Sequence, residues 1–260
     1  MKTRILSGLI MAPLLIVLYF GGPILKLACV FIAAMAVREF YNGFRAMDIR
    51  PCDNIAYAAI VALYAINLFT TDMGWYMLWF FGCVLASLLY LFKIEERKLE
   101  DALATLTGIF YIVFFSYHVV LVDGTGEYSI LLWLIVLTAF GTDIMAYFTG
   151  MLLGKHKLCP KISPKKTIEG SIGGILGSVI LCAAFSAIFV PQLLVHSIII
   201  GVLGGIISQF GDLTASIFKR KMGIKDYGNL IPGHGGILDR FDSVLFTAPM
   251  VYYYILLVLM

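Results

Sequence analysis

The sequence predicts an all-α, polytopic integral membrane protein: a helical bundle of about nine transmembrane helices, with the amino terminus in the cytoplasm. Three observations carry this. The mean hydropathy is +0.95. Apolar runs of 16 to 26 residues recur along a 260-residue chain that is only 13% charged. The 19 Lys and Arg residues fall almost wholly on one side when those runs are threaded alternately through a bilayer. A water-soluble core cannot hide so much apolar length, and about 20 residues suffice for a helix to cross.

The runs cover residues 5–20, 24–40, 55–70, 74–92, 103–122, 128–153, 172–190, 193–218 and 241–260. Gly21, Gly22 and Pro23 stand between the first two, either separating two spans or kinking one. With Lys2 and Arg4 inside, the second connection holds Arg38, Arg45 and Arg50, and the fourth Lys93, Arg97 and Lys98. The sixth holds Lys155, Lys157, Lys161, Lys165 and Lys166, and the eighth Lys219, Arg220, Lys221, Lys225 and Arg240. Lys26 alone lies outside, so the arrangement obeys the positive-inside bias. The basic start followed by an apolar run has the outline of a secretory signal, but it is too long for one and reads as an uncleaved anchor.

Five scattered cysteines, without CxxC or Cys/His spacing, argue against a disulfide framework or a zinc site. A net charge of +3, gathered on one face, suits anionic membrane lipids and gives no sign of nucleic-acid binding. No internal repeat is visible. The chain reads as one membrane domain, residues 1–260, in which 1–127 form mainly scaffold helices and 128–260 the catalytic helices and loops.

Against this apolar background the segment 216–242, SIFKRKMGIKDYGNLIPGHGGILDRFD, concentrates cations, carboxylates and glycines. Such a mixture fits a site for phosphates and a divalent metal better than solvated surface. On the eighth span Asp212, Ser216, Lys219 and Arg220 share one helical face. Asp212 lies about 10 Å below the inner helix end at 1.5 Å per residue. A carboxylate at that depth needs pairing, hydration or a metal, so it is a functional candidate, the alternative being an ion pair with Lys219 or Arg220.

Asp143 on the sixth span shares a face with Ala146, Tyr147, Gly150 and Gly154. It reads either as a second polar anchor or as a structural hydrogen bond. Gly150 with Gly154, Gly173 with Gly177 and Gly201 with Gly205 read as close helix packing. They also permit a homodimer without requiring one. Glu39 beside Arg38 reads as interfacial pairing.

In the sixth connection Pro160 and Pro164 block regular helix, while Ser163, Lys165, Lys166 and Thr167 offer hydroxyls and cations to a phosphate. The alternative is that its lysines only touch anionic lipid. Gly235 and Gly236 allow close approach of main-chain amides to an anion. They are followed at once by Asp239, Arg240 and Asp242 at the start of the last helix. There Asp239 can point toward Asp212 on the neighbouring span, and two hard carboxylates plus phosphate oxygens make a natural magnesium arrangement.

Ser216, Lys219, Arg220, Lys225, Asp226, Pro232, His234, Gly235, Gly236, Asp239, Arg240 and Asp242 together resemble the motif of the phosphatidate cytidylyltransferase (CDP-diacylglycerol synthase) family. The likeness extends upstream to Asp143, Ala146 and Tyr147, to Ser163–Thr167, Glu169 and Gly170, and to Gly211, Asp212 and Leu213. It therefore covers about residues 140–243. The resemblance implies a polytopic helical fold, magnesium, CTP and phosphatidate, with Asp212 and Asp239 holding the metal and a second cation left open. It implies a catalytic group of Asp212, Asp239, Lys219, Arg220 and Arg240. The remaining polar positions, Asp143, Ser163, Lys165, Lys166, Thr167, Ser216, Lys225, Asp226, His234, Gly235, Gly236 and Asp242, would hold substrate. The site would face the cytoplasm from the inner membrane of the cell.

Two rivals remain open. A transporter would use Asp143 and Asp212 as a cation or proton path, but leaves the lysine- and glycine-rich loops unexplained. A polyprenol kinase would also use CTP, yet would transfer the γ-phosphate and release CDP.

Overall fold

The structure is a computed structural model that describes residues 14–230 and 235–260. Residues 14–20 are helical, and Gly21 and Gly22 both take positive φ (58° and 54°). A new helix, α1 (Gly22–Arg45), begins there with Pro23 in its first turn, so the glycines end one helix and start another. The predicted span 5–20 lies largely outside the described residues, as do Lys2 and Arg4.

The chain then runs through α2 (Asp53–Phe69), α3 (Met73–Leu89) and α4 (Leu99–Asp123). It continues through α5 (Leu132–Leu153), entered by a 3-10 turn Gly126–Leu131. A hairpin of β1 (Lys157–Cys159) and β2 (Ser163–Thr167) leads into α6 (Ile168–Phe189), α7 (Leu194–Lys221) and α8 (Leu238–Tyr254). Among the described residues six helical segments are long and apolar enough to cross a membrane. These are Met73–Phe92, Leu99–Asp123, Gly126–Leu153, Ile168–Phe189, Pro191–Lys221 and Leu238–Leu259. Helices α1 and α2 coincide with the second and third predicted spans, α2 being the shorter apolar helix. The chain is thus a multi-pass, helical membrane protein.

Two features depart from a purely α-helical reading. The antiparallel hairpin pairs Lys157 with Thr167 and Cys159 with Ser163 across a bulge, using the stretch that its prolines exclude from helix. In addition, Ile109–Phe114 within α4 and Ile255–Leu259 after α8 are wound as π-helix, a variation that periodicity does not reveal.

The chain forms two compact units, Met1–Tyr117 with Lys221–Arg240, and His118–Arg220 with Phe241–Met260. The glycine-rich segment 221–240 therefore groups with the N-terminal helices. In the first unit the Tyr41 hydroxyl on α1 donates to the Thr105 carbonyl at 2.7 Å. Asp101, 2% exposed, accepts the amides of Arg50 (2.6 Å) and Lys98 (2.9 Å), which fixes the start of α4.

In the second unit α5 and α6 pack backbone to backbone. A Cβ on Gly170 would stand 2.8 Å from the Ala146 carbonyl, and one on Gly174 2.9 Å from that of Thr142. Gly201 and Gly205 of α7 are likewise closed, a Cβ there meeting Val179 Cα at 2.8 Å and Ile175 Cα at 3.0 Å. The small-residue stripes therefore serve packing within the chain.

Candidate active site

The second unit brings together most of the polar residues singled out upstream of the motif. Asp143, Ser163, Lys165, Lys166, Thr167 and Asp212 all line one cavity of about 410 Å3, shared with Tyr147, Gly150, Gly170, Ser171 and Gln209. Ligand sites commonly fall in the range of about 300–1,000 Å3. Four elements build it: the C-terminal half of α5, the hairpin, the first turn of α6, and α7 two to three turns before its cationic end.

The hairpin is held against these helices by specific contacts. Thr167 caps α6, its hydroxyl accepting the Gly170 amide at 3.1 Å. Glu169 accepts the main-chain amides of Lys155 (3.1 Å) and His156 (3.2 Å), and the His156 ring lies 2.7 Å from it. Arg220 Nε donates to the Ile162 carbonyl at 3.3 Å. Lys166 Nζ forms an ion pair with Asp212 Oδ2. The partner of Asp212 is thus a hairpin lysine, 46 residues away in sequence, and not a cation of its own helix. Ser216 Oγ, one turn on, donates to Asp212 Oδ1 at 3.4 Å.

Asp242 on α8 is 6% exposed and accepts the Ser243 amide at 2.8 Å. It lies within electrostatic reach of Asp212, Asp143 and Lys219. The unit therefore gathers three carboxylates from three helices, a costly arrangement in an apolar protein unless cations offset it. Lys166 and Lys219 supply part of that offset. Among the described residues no group of three or more His, Cys, Asp or Glu stands close enough to hold a metal unaided. Magnesium needs fewer, since it is usually bound by one or two carboxylates with substrate phosphates and retained waters. The hard oxygen donors present fit that ion.

The first unit presents the rest of the motif. Asp239, 8% exposed at the start of α8, accepts the amides of Tyr227 (2.8 Å) and Gly236 (2.9 Å) through Oδ2. Gly235 has φ 82°, and a Cβ there would stand 2.6 Å from Asp239 Oδ2. The amides and backbone freedom expected to serve an anion thus first serve Asp239 itself, fixing its rotamer. Arg240 Nε is buried and makes no hydrogen bond among the described residues, leaving it a donor for an anion. Lys225 and Asp226 are exposed on the connecting stretch. Pro232 and His234 lie outside the described residues.

One expectation is corrected and one residue is added. Glu39 does not pair with Arg38 at an interface. Its carboxylate accepts the amides of Ile237 (3.0 Å) and Leu238 (2.9 Å), capping α8 from 198 residues away. The same helix sets the Phe40 ring 6.0 Å from that of Tyr227. Gln209 lines the cavity one turn before Asp212. Both are polar groups inside apolar helices, the signal that had marked Asp143 and Asp212.

The fold and site define a polytopic membrane protein whose bundle carries a polar, cation-lined cavity suited to phosphate chemistry. The sequence profile of the "Cytidylyltransferase family" matches residues 2–258, and the chain belongs to that family. A phosphatidate cytidylyltransferase of Synechocystis is 34% identical, over 98% of this chain and 97% of its own. Those of Staphylococcus haemolyticus (36%, over 96% and 97%) and Bacillus subtilis (35%, over 82% and 71%) are similar relatives.

Proposed function

We propose that this chain is a CTP:phosphatidate cytidylyltransferase, a nucleotidyltransferase that makes CDP-diacylglycerol and pyrophosphate for phospholipid synthesis. Membership of the cytidylyltransferase family and relatives of that name over nearly the whole chain support this reading. The structural observation that carries it is the convergence of Asp143, Ser163, Lys165, Lys166, Thr167 and Asp212 on one cavity.

In the reaction an oxygen of the phosphatidate phosphate bonds to the α-phosphorus of CTP, and the bond from that phosphorus to the bridging oxygen breaks, releasing pyrophosphate. The attacking phosphate is already anionic near neutral pH, so no serine, cysteine or strong base is required. The protein must offset repulsion between two polyanions and stabilise the leaving group. Lys165 and Lys166 of the hairpin, Lys219 and Arg220 of α7, and Lys225 and Arg240 of the motif hold phosphate oxygens. Ser163, Thr167 and Ser216 add hydroxyls, Gly235 and Gly236 main-chain amides, and Asp143, Asp226 and Asp242 orient the cations. His234 contacts the nucleotide or braces the loop.

Asp212 and Asp239 would hold magnesium, with a second cation allowed. The ion would neutralise charge on the α-phosphate. Lys166, the partner of Asp212, is the cation best placed to release that carboxylate when phosphate arrives. The positive-inside distribution argues for a cytoplasmic site in the inner membrane, where CTP is available and a lipid headgroup enters from the bilayer. One chain suffices for this chemistry, so a homodimer would be an addition to it.

Purified protein given CTP, phosphatidate and magnesium should release pyrophosphate and form CDP-lipid. Asp212→Ala and Asp239→Ala should each abolish both products. Release of CDP would identify a kinase, and ion flux without lipid product a transporter. Full activity in either Asp variant would remove the metal assignment.

A further inference from the structure

The cavity in the second unit is graded in both charge and burial. Lys165 is exposed, the side chains of Lys166 and Asp212 are 26% and 23% exposed, and Gln209 is 9% exposed. Charged groups thus line the more exposed part of the cavity, and the uncharged Thr167 and Gln209, 8% and 9% exposed, its more enclosed part. A ligand matching this gradient has a polyanionic tail and a neutral polar head. A nucleoside triphosphate has that shape, whereas a phospholipid would place acyl chains beyond its phosphate and gain nothing from a buried amide.

The amide is also fixed in direction. Gln209 Nε2 donates to the Gly205 carbonyl at 2.9 Å and to the Ser171 carbonyl at 3.2 Å. Both neighbours are acceptors, so the nitrogen must face them and Oε1 must face away. The group Gln209 has left to offer a ligand is a preoriented carbonyl acceptor. Its place on α7 is three residues before Asp212, about 4.5 Å along the helix axis. A nucleotide spans from phosphate to base across a separation of that order plus the side chains.

We infer that Gln209 is the specificity-determining residue for the nucleobase, its Oε1 accepting the exocyclic amino group of cytosine. The inference rests on the cytidylyltransferase reading and deepens it. Cytosine carries an amino donor where uracil carries a carbonyl acceptor. With uracil two acceptors would face each other in an enclosed site, and neither could be satisfied. A site built to bond a donor rejects the analogue that lacks it far more strongly than a merely apolar pocket does.

The test compares CTP, UTP and dCTP with wild type, Gln209→Leu and the near-isosteric Gln209→Met, reading kcat/KM for CDP-lipid formation. Displacement of labelled CTP by each nucleotide, without phosphatidate, gives a second readout independent of turnover. The CTP/UTP ratio does not depend on the amount of folded enzyme. Wild type should prefer CTP by on the order of 100-fold or more, and the variants should lose about 10- to 100-fold of that preference, mainly through weaker CTP use. The CTP/dCTP ratio should not move.

An unchanged CTP/UTP ratio in both variants, or a wild type indifferent to the base, overturns the inference. So does a change confined to the dCTP ratio, which would assign Gln209 to the ribose. If wild type forms CDP-lipid while the ratio stays fixed, the inference alone fails. If wild type forms none yet binds CTP over UTP through Gln209, the reaction assigned above fails and the base contact stands.

Discussion

The carboxylate of Glu39 accepts the main-chain amide of Leu238 at 2.9 Å, joining the first complete helix to the first residue of the last one. The Ile237 amide is bound by the same carboxylate. Asp239 is the next residue along, and it is held in turn by the amides of Tyr227 and Gly236. Two acids thus fix one loop-to-helix junction, Glu39 from outside it and Asp239 from within.

Glu39→Ala removes the acceptor for two helix-start amides. Loss of a cap costs about 0.5–2 kcal/mol, so thermal unfolding in detergent should show a lower midpoint. Because the junction carries Asp239, activity should fall more than folding does. Glu39→Gln keeps one acceptor but turns an NH2 group toward the other amide, and should lie between Ala and wild type. Wild-type activity in Glu39→Ala would show that Asp239 needs no such brace.

Gly235→Ala meets two obstacles. The residue has φ 82°, and its Cβ would lie 2.6 Å from Asp239 Oδ2. Forcing a non-glycine residue into that region costs on the order of 1–3 kcal/mol, and Asp239 must rotate away to make room. CDP-lipid formation should drop at least tenfold while the far-ultraviolet helix signal is retained. The exposed Lys221 offers a control: Lys221→Ala should leave folding unchanged.

Most of the bundle was legible because apolar length and charge bias act locally along the chain. Eight of the nine predicted runs fall on helices α1 to α8, with ends moved by a few residues. The cavity residues were legible for a related reason: Asp143 and Asp212 are carboxylates in apolar helices, and Lys165 and Lys166 stand beside helix-breaking prolines. Partners were not legible. Nothing local joins Glu39 to Leu238 or Lys166 to Asp212, since each pair depends on how distant helices pack. The π-turns at Ile109–Phe114 and the hairpin register were not legible either, since residue spacing carries no signal for them. Glu39 has Arg38 beside it as a local partner, so nothing local pointed to the amides of Ile237 and Leu238, and nothing local shows that Gln209 lines a cavity.

The cytoplasmic placement proposed for the hairpin can be checked through Cys159, which is partly accessible in β1, whereas Cys29, Cys83 and Cys182 are buried. With Cys52 replaced by Ser, a membrane-impermeant maleimide should label inverted vesicles and spare right-side-out ones. Labelling from the outer face would reverse the assignment drawn from the lysines and arginines.

The ion pair of Lys166 with Asp212 joins the hairpin to α7 beside the cavity, with side chains 26% and 23% exposed. Partial burial makes Asp212 depend on its partner, because removing Lys166 leaves that carboxylate uncompensated within electrostatic reach of Asp242. Lys166→Met should therefore cut activity sharply and lower stability by about 1–3 kcal/mol. Asp212→Asn should remove activity but cost less stability, since it relieves repulsion among the three carboxylates while leaving an amide acceptor for Lys166. The double variant should be more stable than the sum of the single losses predicts, by about 0.5–3 kcal/mol, as contacting residues are not additive. Urea or thermal unfolding of the four proteins in one detergent gives that coupling. Strict additivity would mean that the lysine and the aspartate act independently, and that the hairpin is held to α7 by the Arg220 contact with Ile162 instead.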